Sequence, residues 1–237
     1  MSLFISEFLG TMVLILLGNG VVSNVLLQET KGHNSGWIVI TFGWAIAIFA
    51  GVIISAPYSG AHLNPAVTLA FCLIGKSMWT DMPAYITAQF SGAMAGQILV
   101  WITYRQHFKS TSDGYTIRSC FCNTPAIRSI AHNFATEVIA TFALVLIILF
   151  MVAPASSLGS LDALPVALVV LGIGLSLGGP TGYAINPVRD LGPRIVYALL
   201  PTSTKAPSDW SYGWIPVAGP MTGSVLAAII YKVIHHM

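Results

Sequence analysis

The chain has 237 residues, of which 55% are hydrophobic and only 8% charged, with a mean hydropathy of +0.79. A soluble domain carries about 25% charged residues, so most of this length is excluded from forming a water-facing surface, and lipid is the solvent it suits. The net charge of +2 gives no basis for a nucleic-acid partner, and the three cysteines, Cys72, Cys120 and Cys122, lack a His-rich framework, so no disulfide scaffold, metal site or cofactor is indicated.

The first apolar run starts at Leu3 and continues past Leu27, too long for the core of a cleavable signal, so it is expected to stay as a membrane span. Crossing a hydrocarbon layer of about 30 Å takes about 20 helical residues. Stretches near 4–27, 37–56, 84–105, 134–153, 163–179 and 214–234 qualify, which predicts six transmembrane helices. Two further apolar pieces, 66–75 and 188–200, reach only about 15–20 Å at 1.5 Å per residue. They are predicted to enter the membrane without crossing it. Connections are short and polar except for 106–133, which carries Lys109, Asp113, Arg118, Cys120, Cys122 and Arg128.

That long connection divides one channel domain, 1–237, into a first repeat of about 1–106, a linking loop 107–133 and a second repeat of about 134–237. Glu7 and Thr11 in the first span match Glu137 and Thr141 in the fourth. The third span of each half carries a small-residue pair, Gly92 with Gly96 and Gly219 with Gly223, suited to close helix approach. With an odd number of spans per half, the copies insert with opposite topology, so an all-α membrane protein with an inverted repeat is predicted.

Asn is a strong N-cap and Pro is favoured at the first helical position, so Asn64-Pro65 and Asn186-Pro187 each read as the start of a half-length helix. In an inverted repeat the two starts meet near the bilayer midplane with the positive ends of their dipoles facing, which repels cations. If each Asn oxygen caps its own helix, its amide is left as a donor toward the lumen. The Gly- and Pro-rich approaches, 58–63 and 178–185, are tolerable at membrane depth only in protein or along a wet cavity. Carbonyls of Gly60, Ala61, His62, Thr181, Gly182 and Ala184 would then line it as acceptors. Glu7 and Glu137 are read as structural braces for loop N–H groups, the alternative being a proton relay. Arg189 opposes the dipole at the start of its half-helix, so stability does not explain it. Solute selection is its expected role, and a snorkelling surface arginine is the alternative.

The chain resembles the major intrinsic proteins, the aquaporins and aquaglyceroporins, over essentially its whole length. The stretch Gly60-Ala61-His62-Leu63-Asn64-Pro65-Ala66-Val67-Thr68 is similar to the family's first signature. The stretch from Gly182 through Tyr183, Asn186, Pro187, Arg189 and Asp190 to Arg194 is similar to its second. The resemblance implies a homotetramer with one pore per subunit, cytoplasmic termini, multi-pass insertion in the cell membrane, and a selectivity constriction formed here by Trp44, Gly174, Tyr183 and Arg189. Trp44 with Gly174, and Asp190 after the arginine, resemble the glycerol facilitators. Tyr183 stands where those channels usually have Phe, and Val188 where the signature usually has Ala. An interfacial anchor is the alternative reading of Trp44.

On this topology Lys31, Arg105, Lys109, Arg118, Arg128, Arg189, Arg194 and Lys205 lie outside or in the outer pore, and only Lys76 and Lys232 lie inside, against the positive-inside rule. The function expected is passive permeation of glycerol and similar small neutral solutes with water, and no enzymatic chemistry. The alternatives are a channel for water, hydrogen peroxide or protonated lactic acid, an ion-coupled transporter, and a non-conducting junctional protein.

Overall fold

The computed structural model describes residues 1–152, 155–201 and 204–235. Helix α1, Leu3–Leu26, starts at Ser2, whose hydroxyl accepts the Ile5 N–H at 3.3 Å. Helix α2, Trp37–Ser59, ends at Gly60, which takes the left-handed conformation (φ +79°) needed to turn the chain inward. Half-helix α3, Pro65–Leu73, leads to α4, Met82–Thr103, and then to two short helices, α5 (Arg105–Ser110) and α6 (Gly114–Ser119). Helix α7, Ile130–Phe150, is followed by a tight turn of helix at Gly159–Ala163, α8 (Leu164–Leu177), half-helix α9 (Pro187–Leu199), α10 (Trp210–Gly213) and α11 (Ile215–His235). No strand occurs among the described residues.

Five of these helical stretches are long and apolar enough to cross a membrane. The sixth span is α4, with 22 residues and a length of about 33 Å. Its fully buried Gln89 and Gln97 make it less apolar than the other five. The fifth predicted span is shorter than expected: α8 has 14 residues, about 21 Å, and the preceding turn supplies the remainder. The predicted end of the fourth span, Ala153, lies outside the described residues, and α7 begins at Ile130, earlier than the sequence suggested.

Polarity is arranged inside out. Ile38, Phe42 and Ile46, one turn apart on α2, point outward, whereas Ser6, Glu7, Thr11, Asn19 and Ser23 of α1 are buried. In hydrocarbon an unpaired polar group costs several kcal/mol, and the protein interior supplies the partners. Asn19 Nδ2 donates to Gln97 Oε1 at 2.5 Å and to the Phe121 carbonyl at 3.2 Å. That second acceptor belongs to the long connection, which is less solvent-like than its charges implied. Phe108, Ile117, Cys120 and Phe121 are buried there, and the Phe121 ring lies 5.3 Å from Phe108 and 5.1 Å from Tyr197.

Within each half the first and third spans pack closely, α1 on α4 and α7 on α11. A Cβ at Gly92 would lie 2.4 Å from the Phe8 carbonyl oxygen, and one at Gly223 would lie 2.4 Å from that of Val138. Phe8 follows Glu7 and Val138 follows Glu137, so Gly92 corresponds to Gly223. The two glycine pairs are therefore offset by one turn rather than equivalent. The half-helices cross between halves: α3 packs on α11, with Ser224 Oγ donating to the Ala66 carbonyl, and α9 packs on α4. This crossing brings the Asn-Pro starts together.

Gly96→Ala would place a Cβ 2.4 Å from the Met12 carbonyl oxygen. It is expected to destabilise the fold by about 1–3 kcal/mol, read as a lower melting temperature in detergent. Gly20→Ala, with nothing within 4 Å, is expected to leave that temperature unchanged or raise it.

Candidate functional site

At the junction of the half-helices each asparagine works in two directions. Asn64 Oδ1 accepts the Ala66 N–H at 2.9 Å while its Nδ2 donates across to the Ile185 carbonyl at 2.8 Å. Asn186 Oδ1 accepts the Val188 N–H at 3.2 Å while its Nδ2 donates to the Leu63 carbonyl at 2.8 Å. The sequence suggested a whole amide free for the lumen. One hydrogen of each is instead spent on the opposite element, and the second remains on a group that lines the cavity.

The chain approaching each asparagine is forced into left-handed backbone at side-chain-bearing residues: Ala61 (φ 53°), Leu63 (52°), Tyr183 (40°) and Ile185 (45°). Each such residue costs about 1–3 kcal/mol, so something must hold it. Glu7 Oε1 accepts from Ser59 Oγ at 2.6 Å and the His62 N–H at 2.9 Å. Its Oε2 accepts from the Leu63 N–H at 2.7 Å and Gln89 Nε2 at 2.8 Å. Glu137 repeats the pattern, accepting from Thr181 Oγ1 at 2.7 Å, the Ala184 N–H at 3.0 Å and the Ile185 N–H at 2.9 Å. Both carboxyl groups are fully buried, and hydrogen bonds to a charged acceptor are the strong kind, about 1.5–3 kcal/mol each.

Two chambers share Trp44, Tyr183 and Arg189 as lining: one of about 250 Å³ beside Asn64 and Asn186, termed inner, and one of about 230 Å³ beside the long connection, termed outer. Gly60, Ala61, His62 and Ala184 border the inner chamber, and Gly182 the outer. The His62 ring is stacked on Tyr85 with centroids 4.0 Å apart. Thr181 borders neither; its hydroxyl is bound to Glu137 and its carbonyl accepts from Asn123 Nδ2 at 3.0 Å. Trp44, Tyr183 and Arg189 border both chambers. The guanidinium carbon of Arg189 lies 4.3 Å from the centroid of the Trp44 ring, over its face.

Gly174 is absent from both chamber walls, because the Tyr183 ring covers it: a Cβ there would lie 2.9 Å from the ring. The space freed by Gly174 is thus taken by Tyr183. Asp190 is fully buried, accepts from Arg194 Nε at 2.8 Å and Nη2 at 3.0 Å within α9, and accepts from the Asn123 N–H at 2.6 Å, so it ties α9 to the long connection rather than facing solute.

Three residues here were not legible as site residues. Trp37 packs edge-on against Tyr183 at 5.8 Å and donates Nε1 to the Gly174 carbonyl at 3.0 Å. Gly18 seats the Trp44 ring, whose atoms lie 2.3–2.5 Å from where a Cβ would stand. Asn123, from the long connection, accepts from Arg189 Nη1 through Oδ1. A small residue one helical face from Glu7 could have flagged Gly18; nothing in the local pattern around Asn123 marks it.

With this geometry in hand, comparison with known proteins is direct. The family described as Major intrinsic protein matches residues 1–231. The chain belongs to the major intrinsic protein family. Among members of this family it is 50% identical to the "Probable glycerol uptake facilitator protein" of Thermotoga maritima, over 98% of this chain and 99% of that one. It is 40% identical to the "D/L-lactic acid transporter" of Lactiplantibacillus plantarum, over 94% of each. The aquaglyceroporin from Plasmodium falciparum has the same fold, with a TM-score of 0.84 and 34% identity over 98% of this chain and 95% of that one.

Among the described residues no three His, Cys, Asp or Glu side chains gather as a metal site. Cys120 and Cys122 are free and buried, and burial pushes both thiols up to about 12. At pH 7.5 both should therefore resist maleimide in the folded protein and react fully after SDS denaturation, as peptide mapping would show. Glu137→Ala strands three buried donors at about 1–3 kcal/mol each. It is expected to abolish the folded state in detergent, with Glu137→Gln, which keeps one acceptor oxygen, falling in between.

Proposed function

We propose that the protein is a passive, bidirectional channel for glycerol and similar small uncharged solutes, with water, and that it performs no covalent chemistry. The observation that carries this reading is the gathering of two aromatic rings and a single cation where the chambers meet: Trp44, Tyr183 and Arg189 border both. A polyol has a carbon face and a hydroxyl face. The carbon face suits the Trp44 ring, and hydroxyl oxygens suit the guanidinium, whose five N–H groups are donors only. Trp44, Tyr183 and Thr124 border the outer chamber, and among the described residues their buried polar atoms, Nε1, Oη and Oγ1, have no hydrogen-bond partner.

In this reading Trp44, Tyr183 and Arg189 form the selectivity constriction, with Gly174 seating Tyr183. Asn64 and Asn186 are the central donors, and the carbonyls of residues such as Gly60, Ala61 and Gly182 are acceptors along the path. Glu7 and Glu137 brace the re-entrant backbone. The fixed charge of Arg189 and the facing helix starts exclude cations and protons. The names of the similar proteins from Thermotoga maritima and Plasmodium falciparum support glycerol as solute.

The chain is further read as a homotetramer in the cell membrane, each subunit with its own pore, with cytoplasmic termini and two inverted repeats flanking the outer loop. The excess of positive residues outside still runs against the positive-inside rule, although several of them are held by protein. Arg194 is paired with buried Asp190, Arg128 with Asp209 at 2.8 Å, and Arg118 donates to the Pro207 carbonyl at 2.8 Å.

A second reading, a channel for protonated lactic acid, is favoured by one observation, the 40% identity to the protein named for that acid. Osmotic swelling of proteoliposomes decides between them. Glycerol flux that is non-saturating and indifferent to proton or sodium gradients is expected; water flux without glycerol flux would overturn the glycerol reading. Trp44→Ala is expected to widen the passage and admit larger polyols.

A further inference from the structure

Apart from the two chambers, the long connection and the start of the last span enclose a cavity of about 430 Å³. Tyr115 and Arg118 of α6, Arg128, and Asp209, Trp210 and Ser211 at α10 border it. None of these residues lines either chamber. The two arginines are not equivalent. Arg128 holds the Asp209 carboxylate through Nη1 at 2.8 Å and Nη2 at 3.0 Å, and Nη2 also donates to Ser211 Oγ at 2.9 Å. Arg118 has no such partner. It is 5% exposed and donates Nη1 to the Pro207 carbonyl at 2.8 Å. Among the described residues its buried Nε has no hydrogen-bond partner, and it enters no ion pair. The Tyr115 ring lies 5.2 Å from its guanidinium carbon and cannot neutralise it. Two guanidinium charges against one carboxylate leave the cavity positive. A buried cation with an unused donor is unfavourable until an acceptor completes it.

The cavity lies where the membrane ends. Trp210 opens the last apolar stretch long enough to cross, Trp210–His235. Trp210 and Trp214, four residues apart, are both exposed, and exposed tryptophans at the end of a span mark the headgroup level. Tyr115, which borders the same cavity, is exposed as well. Farther along, the span exposes Leu226, Ile229 and Ile230, an apolar surface for acyl chains.

We propose that this cavity binds the phosphate group of a membrane lipid, with Arg118 as the side chain that recognises it. Phosphate oxygens are acceptors, and a guanidinium meets them with parallel N–H bonds that a lysine cannot reproduce. Asp209 would repel an anion, but its carboxylate is held by Arg128 and accepts from Ser211 Oγ at 3.0 Å. The lipid is favoured over a free anion by the exposed tryptophans, which set the positive cavity at the depth of headgroups. The site is independent of which solute crosses the pore.

The test is native mass spectrometry of the detergent-solubilised protein titrated with phosphatidylglycerol, with diacylglycerol and inorganic phosphate in parallel. The variants are Arg118→Gln, Arg118→Lys and Lys109→Gln, which removes an exposed charge of the same connection that does not border the cavity. Arg118→Gln is expected to raise the dissociation constant for phosphatidylglycerol by about tenfold, the loss of one charge-assisted interaction. Arg118→Lys is expected to fall between it and the parent, and Lys109→Gln to match the parent. Melting temperatures establish which variants are folded; should Arg118→Gln not fold, Arg118→Lys carries the comparison. The proposal is overturned if no folded Arg118 variant weakens binding, if Lys109→Gln weakens it equally, or if diacylglycerol binds as tightly. Inorganic phosphate binding as tightly as the lipid would make this a site for a free anion and overturn the lipid assignment.

Discussion

Backbone that leaves a helix at membrane depth must find partners for its N–H groups inside the protein, and here two buried carboxylates supply them. Glu7 and Glu137 each gather donors from a re-entrant loop whose residues are held in left-handed conformations that no local preference supports. A carboxylate suits this task because it accepts several hydrogen bonds and donates none. The same set of bonds compensates the carboxylate for losing water. Neither the loop nor the acid would be tolerable in lipid without the other. From that mutual dependence follow the direction of the half-helices, the meeting of Asn64 with Asn186, and the position of the chambers.

A second set of contacts on the site comes from outside the repeat. The connection between α4 and α7 is folded down onto the outer chamber, anchored by Phe121 among aromatic rings and by Asn123 on the Asp190–Arg194 pair. The repeat builds the cavity walls, and Asn123 of this connection accepts a hydrogen bond from Arg189, which borders both chambers.

The features legible in the sequence are those where a residue type violates its surroundings. A carboxylate in an apolar span, a cation at a positive helix start, and an Asn-Pro beginning a helix too short to cross the membrane all require an explanation, and each points to the site. Residues whose importance comes only from distant packing gave no such sign. Asn123 sits among ordinary loop residues, and its meaning depends on Arg189, which is 66 positions away. Gly174 was legible as open space, but what fills that space, the Tyr183 ring, follows from packing. The glycine pairs misled in register because a helical face repeats every three to four residues, so matching spacing does not establish matching position.

The reciprocal asparagine bonds also bear on how the protein is made. The acceptor for the Asn64 amide is the Ile185 carbonyl, 121 positions later, and α3 packs on α11 at the far end of the chain. During synthesis the first half-helix therefore exists for most of the chain's emergence without its cross-membrane partners. Its N-cap and the Glu7 brace are local to the first half and available early. The first re-entrant element is thus built to wait, supported from its own half, until the second arrives to close the pore.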